Sequence, residues 1–539
     1  MRRPWRIPAL LVLIGLLVAG IVVQRRTTAE TSAISIDAAV PVVAAGDASG
    51  STWYCAAGTA TSAAEGFAEQ TIIVSNSSDR ESTGFVTVHS DSGAQTSRPL
   101  TVPPHGSATF RSSEILKAPW AAVVVEASGG GVAVTQEVRG PSGRSVADCS
   151  SSSSPVWWFP AGTSRAGARL LLTLFNPFPG EATVDITFDT EDGTRTPQQF
   201  QGLVVRGGHV SVVDISAVVT LRERVSMSVV ARSGRLVAMG LQTTDGRNAT
   251  ESGLTFVPGS SVTAPVWFFP VSTPVALAAD EIVSVINTGD TDAEVQVQVQ
   301  LDDPAVNGTV EPFVVSVPAQ RSIEVDLGAD ARVPTSVGHW LIVRATGGEP
   351  LVVARTIGAV RTASTGGLAS TLGVPVVATR WIGGVPLATA TSSALLSVVN
   401  PHASRRATVT VRVHGDGRVS DVARMVAVVI PPGQRTVIDL AKVFTTRPTG
   451  PWEVVSDQPV VAGQWFTFSS PIDFSTVGAY PVAGTQSSPG PVADPDTPHD
   501  GGAAPRSDDS VPGATTTSTT AAPTAAPTAS TTTTVAAVN

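Results

Sequence analysis

Lysine is almost missing from this 539-residue chain: Lys117 and Lys442 are its only two, and arginine supplies the remaining positive charge. With 44 acidic residues the formal net charge is −9, and no extended basic stretch offers a positive face. That removes the electrostatic case for nucleic-acid binding. Cysteine is as scarce, with only Cys55 and Cys149. None of the seven histidines stands in an H-E-x-x-H context and neither cysteine in a C-x-x-C, so zinc has no recognisable ligand set. His89, His402 and His414 flank strand-like runs and read as solvated loop residues. A G-x-x-x-x-G-K-[ST] phosphate loop is lacking, as is a serine nucleophile elbow. The acidic clusters Asp189 to Asp192 and Asp302-Asp303 lack the spacing of a calcium loop. Together these absences predict a protein that is not an enzyme and carries no cofactor or metal.

The amino terminus is distinctive. Arg2, Arg3 and Arg6 precede an uncharged run from Ile7 to Val23, 17 residues long, and Arg25 and Arg26 follow it. As a helix this run would reach about 26 Å, a little short of a hydrocarbon core of about 30 Å. The first reading is an uncleaved signal-anchor. The second is a cleaved signal peptide cut near Thr27-Thr28-Ala29. Either predicts export, with the amino terminus inside and the bulk of the chain outside the cytoplasm.

Downstream, one pattern occurs four times. Leu395 to Asn400 is followed by Val409, Val411 and Val413 alternating with Thr408, Thr410 and Arg412, one apolar and one wet face. Its counterparts end at Asn76, Asn176 and Asn287, so the four asparagines stand 100, 111 and 113 residues apart. A period of about 110 residues is that of a domain. Each copy opens on an aromatic segment led by Trp53, Trp157, Trp267 or Trp381. The strand pair follows, then an Asp/Gly-rich turn, a Pro- or Gly-bearing strand end, a back hairpin and a short closing strand. Seven or eight short strands per copy predict an all-β chain of four tandem immunoglobulin-like β-sandwiches. The expected boundaries are a signal-anchor at 1–31, a linker at 32–50, sandwiches at 51–153, 154–262, 263–376 and 377–486, and a tail at 487–539. That tail is rich in Thr, Ala, Pro and Ser and cannot build a core, so it is expected to be disordered.

Four residues at matching positions, Ser112, Asp214, Asp326 and Asp439, read as helix N-caps rather than metal ligands. An eighth strand brings Cys149 back beside the opening strand, and exported chains pair their cysteines, so a Cys55–Cys149 disulfide is expected. The repeated tryptophans, with Trp120, Trp340 and Trp452 of the back hairpins, read as packing residues. Rings stacked on sugars are the sharper alternative. The sequons at Asn76, Asn248 and Asn307 occur at chance level.

The Trp53-Tyr-Cys-Ala-Ala-Gly58 opening, the Val-x-Asn strand ends and the Pro-Pro-His-Gly and Pro-Pro-Gly turns resemble an exported actinobacterial family catalogued only as a domain of unknown function. Similar repeats occur in other bacterial surface proteins. The resemblance implies a surface location and sandwich repeats, and it lends no catalytic residues. The expected function is that of a non-catalytic, membrane-tethered cell-envelope protein, a rod of four sandwiches with a structural, presenting or adhesive role. The alternative is a binding module for cell-wall polysaccharide or an accessory to envelope glycan assembly. Expected partners are the membrane and wall polysaccharide or another envelope protein.

Overall fold

Side-chain alternation sets the strands. In Ala407–Gly415, Val409, Val411 and Val413 are buried while Thr408, Thr410 and Arg412 stay partly exposed. A computed structural model describes residues 40–247, 251–271, 277, 279–303, 305–306, 310–362, 365–386, 393–444, 446–490 and 492. The expected span Ile7 to Val23, the sequons at Asn248 and Asn307 and most of the tail lie outside them. No helix among the described residues is long and apolar enough to cross a membrane. All of them belong to one unit, Met1–Asp496; the second unit, Thr497–Asn539, has no described residue.

The described chain is all-β with several sheets. Its first stretch contains β1 (Gly50–Cys55), β2 (Glu69–Asn76), β3 (Ser82–Ser90), β4 (Gln95–Val102), β5 (Ser107–Arg111), β6 (Ala121–Ser128), β7 (Val132–Gly140) and β8 (Gly143–Asp148). They form two four-stranded antiparallel sheets, ordered β1-β6-β3-β4 and β5-β2-β7-β8. Trp53, Val86 and Val123 of one sheet share a core with Ile72, Val74 and Val134 of the other.

The expected back hairpin is corrected here. β6 and β7 are consecutive yet lie in different sheets, and so do β2 and β3. Crossing over lets both sheets turn an apolar face inward, which a hairpin within one sheet would not do. The repeated asparagine fixes the first crossing. Buried Asn76 donates through Nδ2 to Arg80 O at 2.7 Å and Pro103 O at 3.2 Å, and its Oδ1 accepts from Ser78 N at 2.9 Å. Asn176, Asn287 and Asn400 make the same contacts, to Gly180 O, Thr291 O and Arg405 O, each at 2.7 Å.

The same two strand orders recur in stretches beginning at Val156, Val266 and Val377. In the last, one 18-residue strand, Trp452–Ser469, serves both sheets. The expected tail begins late: Gln486–Ser487 pairs with Val377–Ala378, and Val492 bridges to His402, because both find open backbone on the fourth sheet pair.

The sheet pairs do not line up as a rod. The closing strands, β8, Ser252–Pro258, Gly367–Leu372 and Ile472–Gly478, pack each against the next, and the last packs against the first. The result is a ring around a central axis. Its four junctions lie at or just past the end of the strand that follows each repeated asparagine, and three of them use corresponding positions, His89, Asp189 and His414. His89 Nδ1 lies 3.2 Å from Gly208 O, Asp189 accepts from Ser322 N at 2.8 Å, and Asp302 accepts from Arg435 Nη2 at 2.7 Å. At the fourth junction His414 Nδ1 meets His105 Nδ1 at 3.0 Å, which joins the last sheet pair to the first.

Candidate functional site on the ring axis

The closing strands bring corresponding residues together on the axis. Three of these are glycines, Gly143, Gly253 and Gly367, and the fourth is Asp473. A Cβ on Gly143 or Gly367 would collide with the Asp473 carboxylate, so glycine is required there to admit it. Asp473 is buried and accepts four backbone N–H groups: Arg144 at 3.0 Å, Leu254 at 3.4 Å, Leu368 at 3.0 Å and Phe474 at 2.9 Å. One carboxylate thus ties all four closing strands. Burial pushes its pKa up to about 7, against the pull of those N–H donors.

Further along the axis, hydroxyls link three of the four neighbouring strand pairs. Ser145 Oγ accepts from Phe256 N at 3.2 Å, Thr255 Oγ1 from Ser370 N at 3.0 Å, and Ser475 Oγ from Val146 N at 3.0 Å. The corresponding residue of the third closing strand is Ala369, which has no hydroxyl to offer.

Beyond this layer the axis opens into a cavity of about 140 Å³, lined by Trp157, Trp267 and Trp381 among other apolar residues and by Asp148, Thr476 and Tyr480. Asp148 as a whole is partly exposed, but its Oδ1 is shielded from solvent and has no hydrogen-bond partner. Thr476 Oγ1 is in the same position. Burial pushes the Asp148 carboxyl up to about 7. Tyr480 is held behind it: its hydroxyl donates to Val134 O and accepts from Cys149 N at 3.1 Å, and its ring meets Trp53 edge-on at 5.0 Å. Burial raises the Tyr480 hydroxyl well above its ordinary range.

The residues singled out from the sequence fall in several places. Cys55 and Cys149 are joined by a disulfide and buried in the first core. Trp53, Trp157, Trp267, Trp340, Trp381 and Trp452 are all buried, and Trp120 is partly exposed. Sugar stacking therefore has no exposed ring at those six. Buried indoles instead donate to backbone, as Trp157 Nε1 does to Leu236 O at 3.0 Å and Trp381 Nε1 to Val460 O at 2.9 Å.

The solvated-loop reading fails for His89 and His414, which are buried because they sit in junctions. His89 packs on the Phe175 ring at 5.1 Å, and burial lowers its pKa. The His105–His414 contact is flanked by carboxylates: His105 Nε2 lies 2.8 Å from Asp79 Oδ1 and His414 Nε2 lies 3.5 Å from Glu453 Oε2. Of the three, His402 alone is partly exposed.

The cap reading holds at Asp439, whose side chain accepts from Ala441 N; at Asp326 no helix follows, and the side chain closes a turn instead by accepting from Ala329 N at 3.0 Å. It fails at Ser112, which is already the first helical residue and donates to Gln70 Oε1 at 2.9 Å. It fails too at Asp214, which turns to Arg169. Asp189 is neutralised by Arg224 and Arg321. Among the described residues no three His, Cys, Asp or Glu side chains are grouped to hold a metal. The axis itself was missed by sequence reasoning. Its signal was a lone Asp473 where the other copies carry Gly.

Residues 126–337 match a family described as a family of unknown function, DUF5719. No curated protein matches the chain. A solved chain titled "Crystal Structure of Thermotoga maritima 1070" is 20% identical, over 21% of this chain and 93% of its own, with a TM-score of 0.17. That score carries no argument about fold or activity.

Proposed function

We propose that this chain is a non-catalytic cell-envelope protein, tethered to the membrane by its amino-terminal segment with its bulk outside the cytoplasm. Its body is four immunoglobulin-like sandwiches, and its role is structural, presenting or adhesive. One observation carries this reading. The four closing strands are tied to a single buried carboxylate, Asp473, and the junctions close on themselves, which suits a rigid platform better than a flexible string of modules. The arginine-flanked apolar run Ile7 to Val23 supports the tether. The two cysteines paired in one core suit an oxidising compartment. Binding of wall glycopolymer through the repeated tryptophans has less support, since six of those rings are inside cores. The test is fractionation of cells with protease shaving. The full chain should sediment with membranes and lose its body to external protease on intact cells. Recovery of the intact chain from the cytosolic fraction would end the proposal.

A further inference from the structure

We propose that the axial cavity binds a compact organic cation: a hydrocarbon body the size of one ring, carrying one protonated amine. Size comes first. A cavity of about 140 Å³ is close to the volume known to hold a benzene-sized molecule, and it is too small for an oligosaccharide. The walls come second. Trp157, Trp267, Val262, Leu372 and Val477 present hydrocarbon and aromatic surface, the common lining of a small-molecule site.

The polar atoms decide the chemistry. Asp148 and Thr476 both line the cavity, and Asp148 Oδ1 and Thr476 Oγ1 are shut off from solvent without a hydrogen-bond partner of good geometry; the Tyr480 hydroxyl pulls on the Asp148 carboxyl from close by but directs its own proton to Val134 O. A buried oxygen left in that condition is unfavourable until a donor reaches it. Among the described residues of the lining, Asp148 is the only carboxylate and no arginine, lysine or histidine stands there to neutralise it; Tyr54 and Tyr480 are the other ionisable groups among them. An anionic ligand would be repelled. A neutral donor would satisfy hydrogen bonding alone. An ammonium would satisfy it and supply the missing positive charge, next to aromatic rings that attract cations. Because burial holds the Asp148 carboxyl near 7, cation binding at neutral pH would also drive the carboxyl to ionise and release its proton.

The experiment is isothermal titration of the full chain with benzylamine, with benzyl alcohol and benzoate as isosteric controls. Benzylamine should bind saturably with one site per chain, and Asp148→Asn should weaken it about tenfold or more while leaving benzyl alcohol unchanged. In two buffers of different ionisation enthalpy, benzylamine should show proton release at pH 7 that Asp148→Asn abolishes. Val262→Trp, which fills the cavity and leaves Asp148 in place, should abolish binding of both benzylamine and the alcohol, so a poorly folding Asp148 variant still leaves a decisive arm. The proposal is overturned if benzylamine shows no saturable binding at millimolar concentration, if benzoate binds as well, or if Val262→Trp binds benzylamine like the parent.

Discussion

Replacing Asp473 by alanine is the sharpest probe of the ring. The change strips the acceptor from four backbone N–H groups, those of Arg144, Leu254, Leu368 and Phe474, in four different closing strands. Each N–H left buried and unpaired costs about 1–3 kcal/mol, so the gross loss is roughly 4–12 kcal/mol. Against it stands the relief of no longer burying a carboxyl group, which is worth several kcal/mol. The net expectation is a destabilisation of about 3–5 kcal/mol. Asp473→Asn keeps one acceptor oxygen, so two of the four N–H groups stay satisfied and about half the loss should remain. Guanidinium denaturation of the parent and both variants measures the totals. Amide exchange localises them, since the four named amides should lose protection together while strands far from the axis keep theirs. An alanine variant within about 1 kcal/mol of the parent, with those amides still protected, would show that the axis is held by something else.

Stability should fall as pH rises from about 4 to about 7. Asp148, Asp473 and Glu324 each have a folded pKa raised to about 7 by burial, so over that window the folded chain holds protons the unfolded chain has already lost. Thermal midpoints at pH 5 should therefore exceed those at pH 8. Below about 4 the trend reverses, because Asp189 and Glu453 have lowered pKa values and lose their ion pairs on protonation. Removing the disulfide with Cys55→Ser and Cys149→Ser should cost on the order of 4–5 kcal/mol, from opening a loop with a sequence separation of 94, as read by denaturant midpoint. His414→Phe should destabilise by about 1–3 kcal/mol, because it leaves His105 Nδ1 without its 3.0 Å partner inside the junction between the last and first sheet pairs. The same change at His402, whose Nδ1 accepts from Ser404 N and Arg405 N at 3.0 Å in a partly exposed turn, should cost about 1 kcal/mol or less, because water can replace the lost acceptor.

The strands were legible because alternation is a local property: Val409, Val411 and Val413 announce a buried face whatever lies opposite them. The four asparagines were legible as a period, although their work as staples across a sheet-to-sheet crossing was not. That work depends on carbonyls about 30 residues away, such as Val317 O for Asn287 and Ile430 O for Asn400. The β6-to-β7 crossing was misread as a hairpin because a short Gly-bearing turn looks alike whether the chain stays in one sheet or passes to the other. Ring closure left almost no trace, since each junction rests on a few side chains whose partners come from another copy more than 100 residues away, His105 with His414 and Asp302 with Arg435. A histidine at a strand end carries no mark of whether water or another copy will cover it. Asp473 was hidden for the same reason. A carboxylate in place of glycine looks like drift between copies until the strands are seen converging on it.

The closed arrangement also decides how mechanical tension would travel. Val43 N donates to Pro481 O at 3.0 Å and Ala483 N donates to Val43 O at 2.9 Å, so the start and the finish of the folded body are clipped side by side. A pull applied between those two points strains that clip alone and leaves the sandwiches slack. Such a body would transmit no force from one end of the chain to the other through its cores, and stretching it would break a single short backbone pairing long before any sheet began to unravel.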